Sequence, residues 1–275
     1  MNETTAILQV EDLCVDFHTR QGMVRVLYDI NLSVYQGKTL GIVGESGCGK
    51  SMAALAIMRL IPEPPGSIPR GRILLEGRNL LDLDEKRMRD VRGNAISMIF
   101  QEPMTSLNPV FTVGMQISEN IMRHQKASRS EAASRAVEIM QAVKIPAAAQ
   151  RFRQYPHELS GGMRQRVMIA MALSCKPKVL IADEPTTALD VTVQAQIFDL
   201  LQEVREKTGT SMILITHDMG VISEVADRVA VIYAGHKVEE GSVREIIDDS
   251  LHPYTRGLIG CAPHLKEDPG PASES

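Results

Sequence analysis

Gly44-Glu45-Ser46-Gly47-Cys48-Gly49-Lys50-Ser51 carries the strongest chemical signal in this 275-residue sequence. It matches G-x-x-x-x-G-K-[ST] and stands between an expected strand, Leu40 to Val43, and an expected helix, Met52 to Leu60. In that setting the glycines let the backbone curl, so that successive N–H groups and the helix N-terminus converge on phosphate oxygens. Lys50 supplies a mobile point charge for the β- and γ-phosphates, and the Ser51 hydroxyl can ligate Mg²⁺. Without that setting the same residues would be a Gly-rich turn.

Two further segments bear on phosphate chemistry. Val179-Leu180-Ile181-Ala182-Asp183-Glu184 is an apolar strand ending in two carboxylates, which delivers them to the carboxyl edge where open α/β sheets bind ligands. There Asp183 can hold Mg²⁺, directly or through water, and Glu184 can polarise a water for attack on the γ-phosphorus. Taken alone, the pair also reads as surface acids. In Leu159-Ser160-Gly161-Gly162, Ser160 is a good N-cap, and the two glycines leave donors bare at a helix mouth, a second anion-binding site. One nucleotide has no obvious need of two helix mouths on one chain. Each grips its own phosphate, or the two meet across a dimer interface; as a bare feature Ser-Gly-Gly is a capped turn.

The elements that must position these residues follow from the pattern. Short β-branched runs at Val24 to Leu27, Ile30 to Val34, Leu40 to Val43, Ile73 to Leu75 and Ile96 to Ile99 read as strands. From about Pro103 to Cys175 apolar residues recur at helical offsets, among them Ala136, Val137, Met140 and Val143. Strand and helix alternate again over Lys178 to Tyr233, which implies parallel strands joined by crossover helices. Hydrophobic residues at 44% and charged residues at 23% predict a sizeable buried core and exclude global disorder. The net charge of −4 gives no support to a nucleic-acid binder. The best apolar run, Val167 to Leu173, is too short to span a bilayer, and Met1 to Thr5 lack the features of a secretory signal. Cys14, Cys48, Cys175 and Cys261 form no CxxC pair, which points to a reducing cytoplasm. Cys48 is expected to gain thiolate character from the N–H donors around it and so to be open to thiol reagents.

Together these motifs resemble the nucleotide-binding subunit of ATP-binding cassette transporters, over residues 7 to about 257. In the family's order come an aromatic at Phe17, the loop 44–51, a Q-loop glutamine at Gln101, the Leu159 to Gly162 signature, the carboxylates Asp183 and Glu184, the D-loop Ala188-Leu189-Asp190 and the switch histidine His217. The gaps of 51 from Lys50 to Gln101, 23 from Ser160 to Asp183 and 33 from Glu184 to His217 also fit. The implied fold is an α/β P-loop NTPase core sheet with an antiparallel β subdomain and an inserted α-helical subdomain. The implied domains are a cassette over 1–257, its core about 1–101 and 176–250 and its helical part about 102–175, followed by a short flexible tail, 258–275. The cofactors are ATP and Mg²⁺, the metal being held by Ser51, Gln101 and Asp183. Glu184 and His217 are the implied catalytic pair, and residues 44–51, Gln101, Ser160, Gly161, Gly162 and Asp190 contact nucleotide. Phe17 either stacks on adenine or is a core aromatic at a strand end. Gln101 and His217 could likewise be a strand-end amide and a structural histidine. Met163 departs from the commonest signature, which has Gln there; changed detail is expected rather than lost activity.

Within the family, the segments Gln101 to Pro109, Ala182 to Thr192 and His252-Pro253-Tyr254-Thr255 resemble importer subunits for di- and oligopeptides and for nickel. The implied partners are integral membrane permease subunits, a second ATP-binding subunit that is identical or paralogous, and indirectly an extracytoplasmic binding protein. The implied place is the cytoplasmic face of the inner membrane, as a peripheral subunit. Met104, Leu107, Pro109 and Phe111 are expected to put apolar groups at the hinge between lobes, where a permease helix docks, or else to pack the lobe junction. With Cys261 alone in the tail, no iron–sulfur cluster is expected, and the short tail weakens peptide relative to nickel. A soluble cassette ATPase outside transport is the further alternative.

Overall fold

The computed structural model describes residues 6–101, 106–186 and 190–261. Three strands form the centre of a six-stranded sheet: β3 (Thr39–Val43), β7 (Val179–Asp183) and β8 (Ser211–Ile215), in each of which all five residues are buried. Strands buried on both faces are read from sequence as continuous apolar runs. The order is β10-β9-β3-β8-β7-β6, with β6 at Ile96–Ile99, β9 at Arg228–Tyr233 and β10 at His236–Ser242. All neighbours run parallel except β9 and β10, which form an antiparallel hairpin.

Alternate residues of these strands serve two cores, as the two-residue period of a strand requires. Leu40, Ile42, Ile181, Ile213, Ile215 and Ile232 face one way, onto α1 (Lys50–Ile57) and a four-stranded antiparallel sheet. That sheet has the order β2-β1-β4-β5, built from β1 (Ala6–Thr19), β2 (Gly22–Tyr35), β4 (Gly66–Leu75) and β5 (Arg78–Asn79). A short helix, α2 (Glu85–Val91), follows it. Val43, Leu180, Ala182, Met212, Leu214, Val229 and Val231 face the other way, toward helices. Ile213 is fully excluded from water, so cutting it to alanine would cost about 2–5 kcal/mol.

Between β6 and β7 the chain makes α3 (Val113–Gln125), α4 (Arg129–Ala142), α5 (Ala148–Arg151) and α6 (Gly161–Leu173). Their starts are written in side chains. Thr112 and Ser160 accept from N–H groups three residues on, and Ser128 with Glu131 makes a reciprocal capping box. After β7 come α7 (Val191–Thr208), α8 (Met219–Val225), α9 (Val243–Asp248) and α10 (Pro253–Gly260). The last helix runs through Gly260, three residues into the expected tail 258–275; residues 262–275 lie outside the described ones. No helix among the described residues is long and apolar enough to cross a membrane.

Candidate nucleotide site

Because β3, β7 and β8 are parallel and in register, with Ile42 and Asp183 both opposite Ile215, their carboxyl ends share one edge. On that edge the chain leaves β3 into the loop 44–50. Gly44 is required there: its φ is +151°, and a Cβ would come 2.1 Å from the Ile232 carbonyl oxygen. Gly49, at φ +109°, has no room either, since a Cβ would lie 2.7 Å from Leu27. It begins α1 without any side-chain cap, which leaves backbone donors at the mouth of this helix without a side-chain partner.

Lys50 is 4% exposed and folds back on its own loop, its Nζ donating to the carbonyls of Gly44 and Glu45 at 2.8 Å each. The Ser51 hydroxyl donates to Asp183 Oδ1 at 3.0 Å, so the loop and the end of β7 meet. Burial pushes the Asp183 carboxyl above its ordinary range, with Glu184 adding to the rise, while the Ser51 hydrogen bond and Lys50 oppose it. A hydroxyl and a buried carboxylate side by side form the small all-oxygen donor set that suits Mg²⁺, which commonly takes its other ligands from water and substrate phosphates.

Glu184 sits just beyond β7 in the left-handed region, at φ +43°, pinned by its N–H to the Ile215 carbonyl at 2.9 Å. A non-glycine residue held there is under backbone strain. The carboxylate is 15% exposed; Gln101 Nε2 donates to Oε2 at 2.7 Å, and His217 Nδ1 lies 3.8 Å from Oε1. Three residues predicted from distant motifs thus form one cluster. His217 is 72% exposed, set between buried Thr216 and Asp218, whose carboxylate caps α8.

Other predicted residues stand apart. Ser160 caps α6 through the Met163 N–H at 3.4 Å, and both Ser160 and Gly161 are exposed. Among the described residues no hydrogen bond joins Ser160, Gly161 or Gly162 to the loop 44–51. Met163 packs, partly buried, against the helical core. Asp190 is exposed, and its carboxylate accepts from the Val193 N–H at 2.9 Å as the cap of α7; Ala188 and Leu189 lie outside the described residues. Phe17 is half-buried in β1, against the core beside Gly66, where a Cβ would come 3.2 Å from its ring.

One expectation is corrected. Cys48 is 7% exposed, and burial pushes its thiol up; the Lys50 charge and nearby N–H groups pull the other way and lose. Of the two roles expected for Leu107, docking or packing, its 3% exposure and its place in the helical core fit packing. Phe111, 44% exposed, does line a surface cavity of about 490 Å³ with Met115, Met122 and Phe152, while Met104 lies outside the described residues. A second groove, about 400 Å³, runs between the sheet and the helices, lined among others by Met58, Leu60, Met98, Phe100 and Arg123. One contact has no sequence precursor: Tyr254 of α10 reaches the loop, its hydroxyl accepting from the Glu45 N–H at 2.8 Å.

Residues 27–187 match the ABC transporter family model, and residues 238–273 match the model of the oligopeptide/dipeptide transporter C-terminal region. The oligopeptide transport ATP-binding protein OppD of Bacillus subtilis is 55% identical over 97% of this chain and 74% of its own length. The dipeptide transport ATP-binding protein DppD of the same organism is 51% identical, over 94% and 77%. Among solved structures, a dimeric post-hydrolysis ATP-binding cassette bound to ADP and Pi has a TM-score of 0.77 and 26% identity, covering 86% of this chain and 99% of that one.

Proposed function

The chain belongs to the ABC transporter family of ATP-binding subunits, and from that premise we propose that it hydrolyses ATP to drive import of di- and oligopeptides through a membrane permease. The observation that carries the chemistry is the convergence on one sheet edge of Lys50, the Ser51–Asp183 pair, and Glu184 with Gln101 and His217. The match of residues 238–273 to the oligopeptide/dipeptide C-terminal region supports the peptide cargo over nickel.

In this reading Lys50 exchanges its two carbonyl partners for β- and γ-phosphate oxygens, and the N–H groups of 47–51 surround the phosphates. Ser51 and Asp183, with Gln101 nearby, would hold Mg²⁺, which would supply charge to offset the phosphates. Glu184 accepts the proton of the attacking water, Gln101 holds the carboxylate in place, and His217 orients the γ-phosphate end; Phe17 meets the base. Such catalysis is positioning plus electrostatics, for which a rigid strand edge is the right support. Ser160, Gly161, Gly162 and Asp190 point to a second ATP-binding subunit, identical or paralogous, whose triphosphate they close over. The cassette comprises a core, about 1–101 and 176–250, and a helical part, about 102–175. The groove that includes Phe100 lies at their junction and offers a seat where a permease helix can read the nucleotide state, in keeping with a peripheral subunit at the cytoplasmic face of the membrane and a binding protein supplying cargo from the far side.

Uptake of a labelled dipeptide by cells that depend on this subunit tests the proposal. Uptake is expected with the parent chain and lost with Glu184→Gln; nickel uptake in place of peptide would overturn the cargo.

A further inference from the structure

The loop 44–50 is held from outside at two points, both by the C-terminal third of the chain. At one, the Gly235 N–H donates to the Cys48 carbonyl at 2.9 Å, from the turn between β9 and β10. That turn is itself seated on β2, since the Tyr28 N–H donates to the Gly235 carbonyl at 2.9 Å. At the other, the Tyr254 hydroxyl accepts from the Glu45 N–H.

Tyr254 is well placed to hold what it touches. Its ring packs on Tyr233 at the end of β9, with centroids 4.4 Å apart. The start of its helix is tied down twice: His252 Nδ1 accepts from the Tyr254 N–H at 3.2 Å, and the Glu239 carboxylate of β10 accepts from the N–H groups of Leu251 and His252 at 2.6 and 3.1 Å. The side-chain partners of the Glu45 backbone are Tyr254 on its N–H and Lys50 on its carbonyl. If Lys50 turns to a triphosphate, as the proposed function requires, its hold on the carbonyls of Gly44 and Glu45 ends. Tyr254 is then the side chain that still fixes this peptide, just when the loop must keep its shape. Letting a peptide unit of this kind move freely and then reordering it costs conformational entropy at the moment of binding.

We propose that Tyr254 is a positioning residue of the nucleotide site: its hydroxyl fixes the Glu45 peptide, so that the phosphate loop meets the triphosphate already ordered. The inference rests on the reading of loop 44–51 as the ATP site. It gives the His252-Pro253-Tyr254-Thr255 segment a task within the ATP site, beyond marking the C-terminal region.

Tyr254→Phe tests it, because the ring stays on Tyr233 and only the acceptor is removed. The Kd and KM for Mg-ATP should rise about three- to tenfold, the range of one lost hydrogen bond, with kcat within about twofold and the melting temperature little changed. Hydrogen exchange at the Glu45 amide should quicken in the same proportion. An unchanged or tighter Kd for ATP overturns the proposal. So does a large fall in melting temperature with kcat lost in step, which would make Tyr254 a packing residue. Lys50→Ala, measured alongside, separates the two levels. If it loses ATP while Tyr254→Phe binds normally, only the role of Tyr254 fails; if Lys50→Ala binds ATP as the parent does, the site itself is misplaced and the role falls with it.

Discussion

The two anion-directed helix mouths of this chain differ in how they are finished. The mouth of α1 is enclosed: its lysine is buried, its serine is bonded to Asp183, and Glu184, Gln101 and His217 stand on the same edge. The mouth of α6 is open, with Ser160 and Gly161 exposed and occupied only in capping their own helix. On the proposed function, the enclosed mouth grips its own nucleotide and the outward one closes over a neighbour's. The first mouth should therefore govern binding and chemistry within a protomer, and the second should matter only once two ATP-binding subunits meet.

The largest effect is expected at the enclosed mouth. Glu184→Gln should bind ATP and hydrolyse it at least ~10²-fold more slowly, the lower range for a lost general base; single-turnover hydrolysis measures it, and near-normal turnover would break the assignment. Lys50→Ala removes a charged donor to phosphate, so the Kd for ATP, read by fluorescence titration, should rise about 10- to 100-fold. Ser160→Ala sharpens the comparison. ATP binding to the isolated chain should stay within about twofold, while hydrolysis in the assembled transporter falls about tenfold, as one charge-assisted hydrogen bond across subunits is lost. Equal damage to binding in the isolated chain would place both mouths on one nucleotide.

The smallest effect concerns Cys48. Its thiol is held above the ordinary range by burial, so at neutral pH less of it is thiolate than in a free cysteine, and its share grows only as the pH rises past the ordinary thiol range. Maleimide labelling followed by mass spectrometry should find Cys48 several-fold slower than exposed Cys261 at neutral pH, with the gap narrowing in base.

Much of this site was legible because its parts are local. The loop 44–51 announces its geometry through glycines at fixed spacing, and an apolar strand ending in Asp183-Glu184 can deliver those carboxylates only to a sheet edge. What was not legible depends on pairing across long separations. The runs Val24 to Leu27 and Ile30 to Val34 are one strand, β2, broken in pattern at Asp29, whose φ of +45° interrupts the alternation. β1 and β10 went unread because each is stabilised by its partner: β1 is paired on both sides, and β10 carries charged residues such as Lys237, Glu239 and Glu240 on an edge. Docking and packing both stayed open for Leu107 because the pattern around it does not reveal which apolar residue points inward. Tyr254 lies 209 residues from the amide it accepts from, and no periodicity joins them. Cys48 went wrong on magnitude, since both the N–H donors and the burial were real and burial was the larger.

The claim that one mouth serves its own chain and the other a neighbour is tested most directly by mass. Light scattering on the Glu184→Gln chain, alone and with its membrane components, should show two ATP-binding chains held together by Mg-ATP, and Ser160→Arg in the same background should abolish that association. A particle that keeps a single ATP-binding chain at saturating Mg-ATP under both conditions would contradict it.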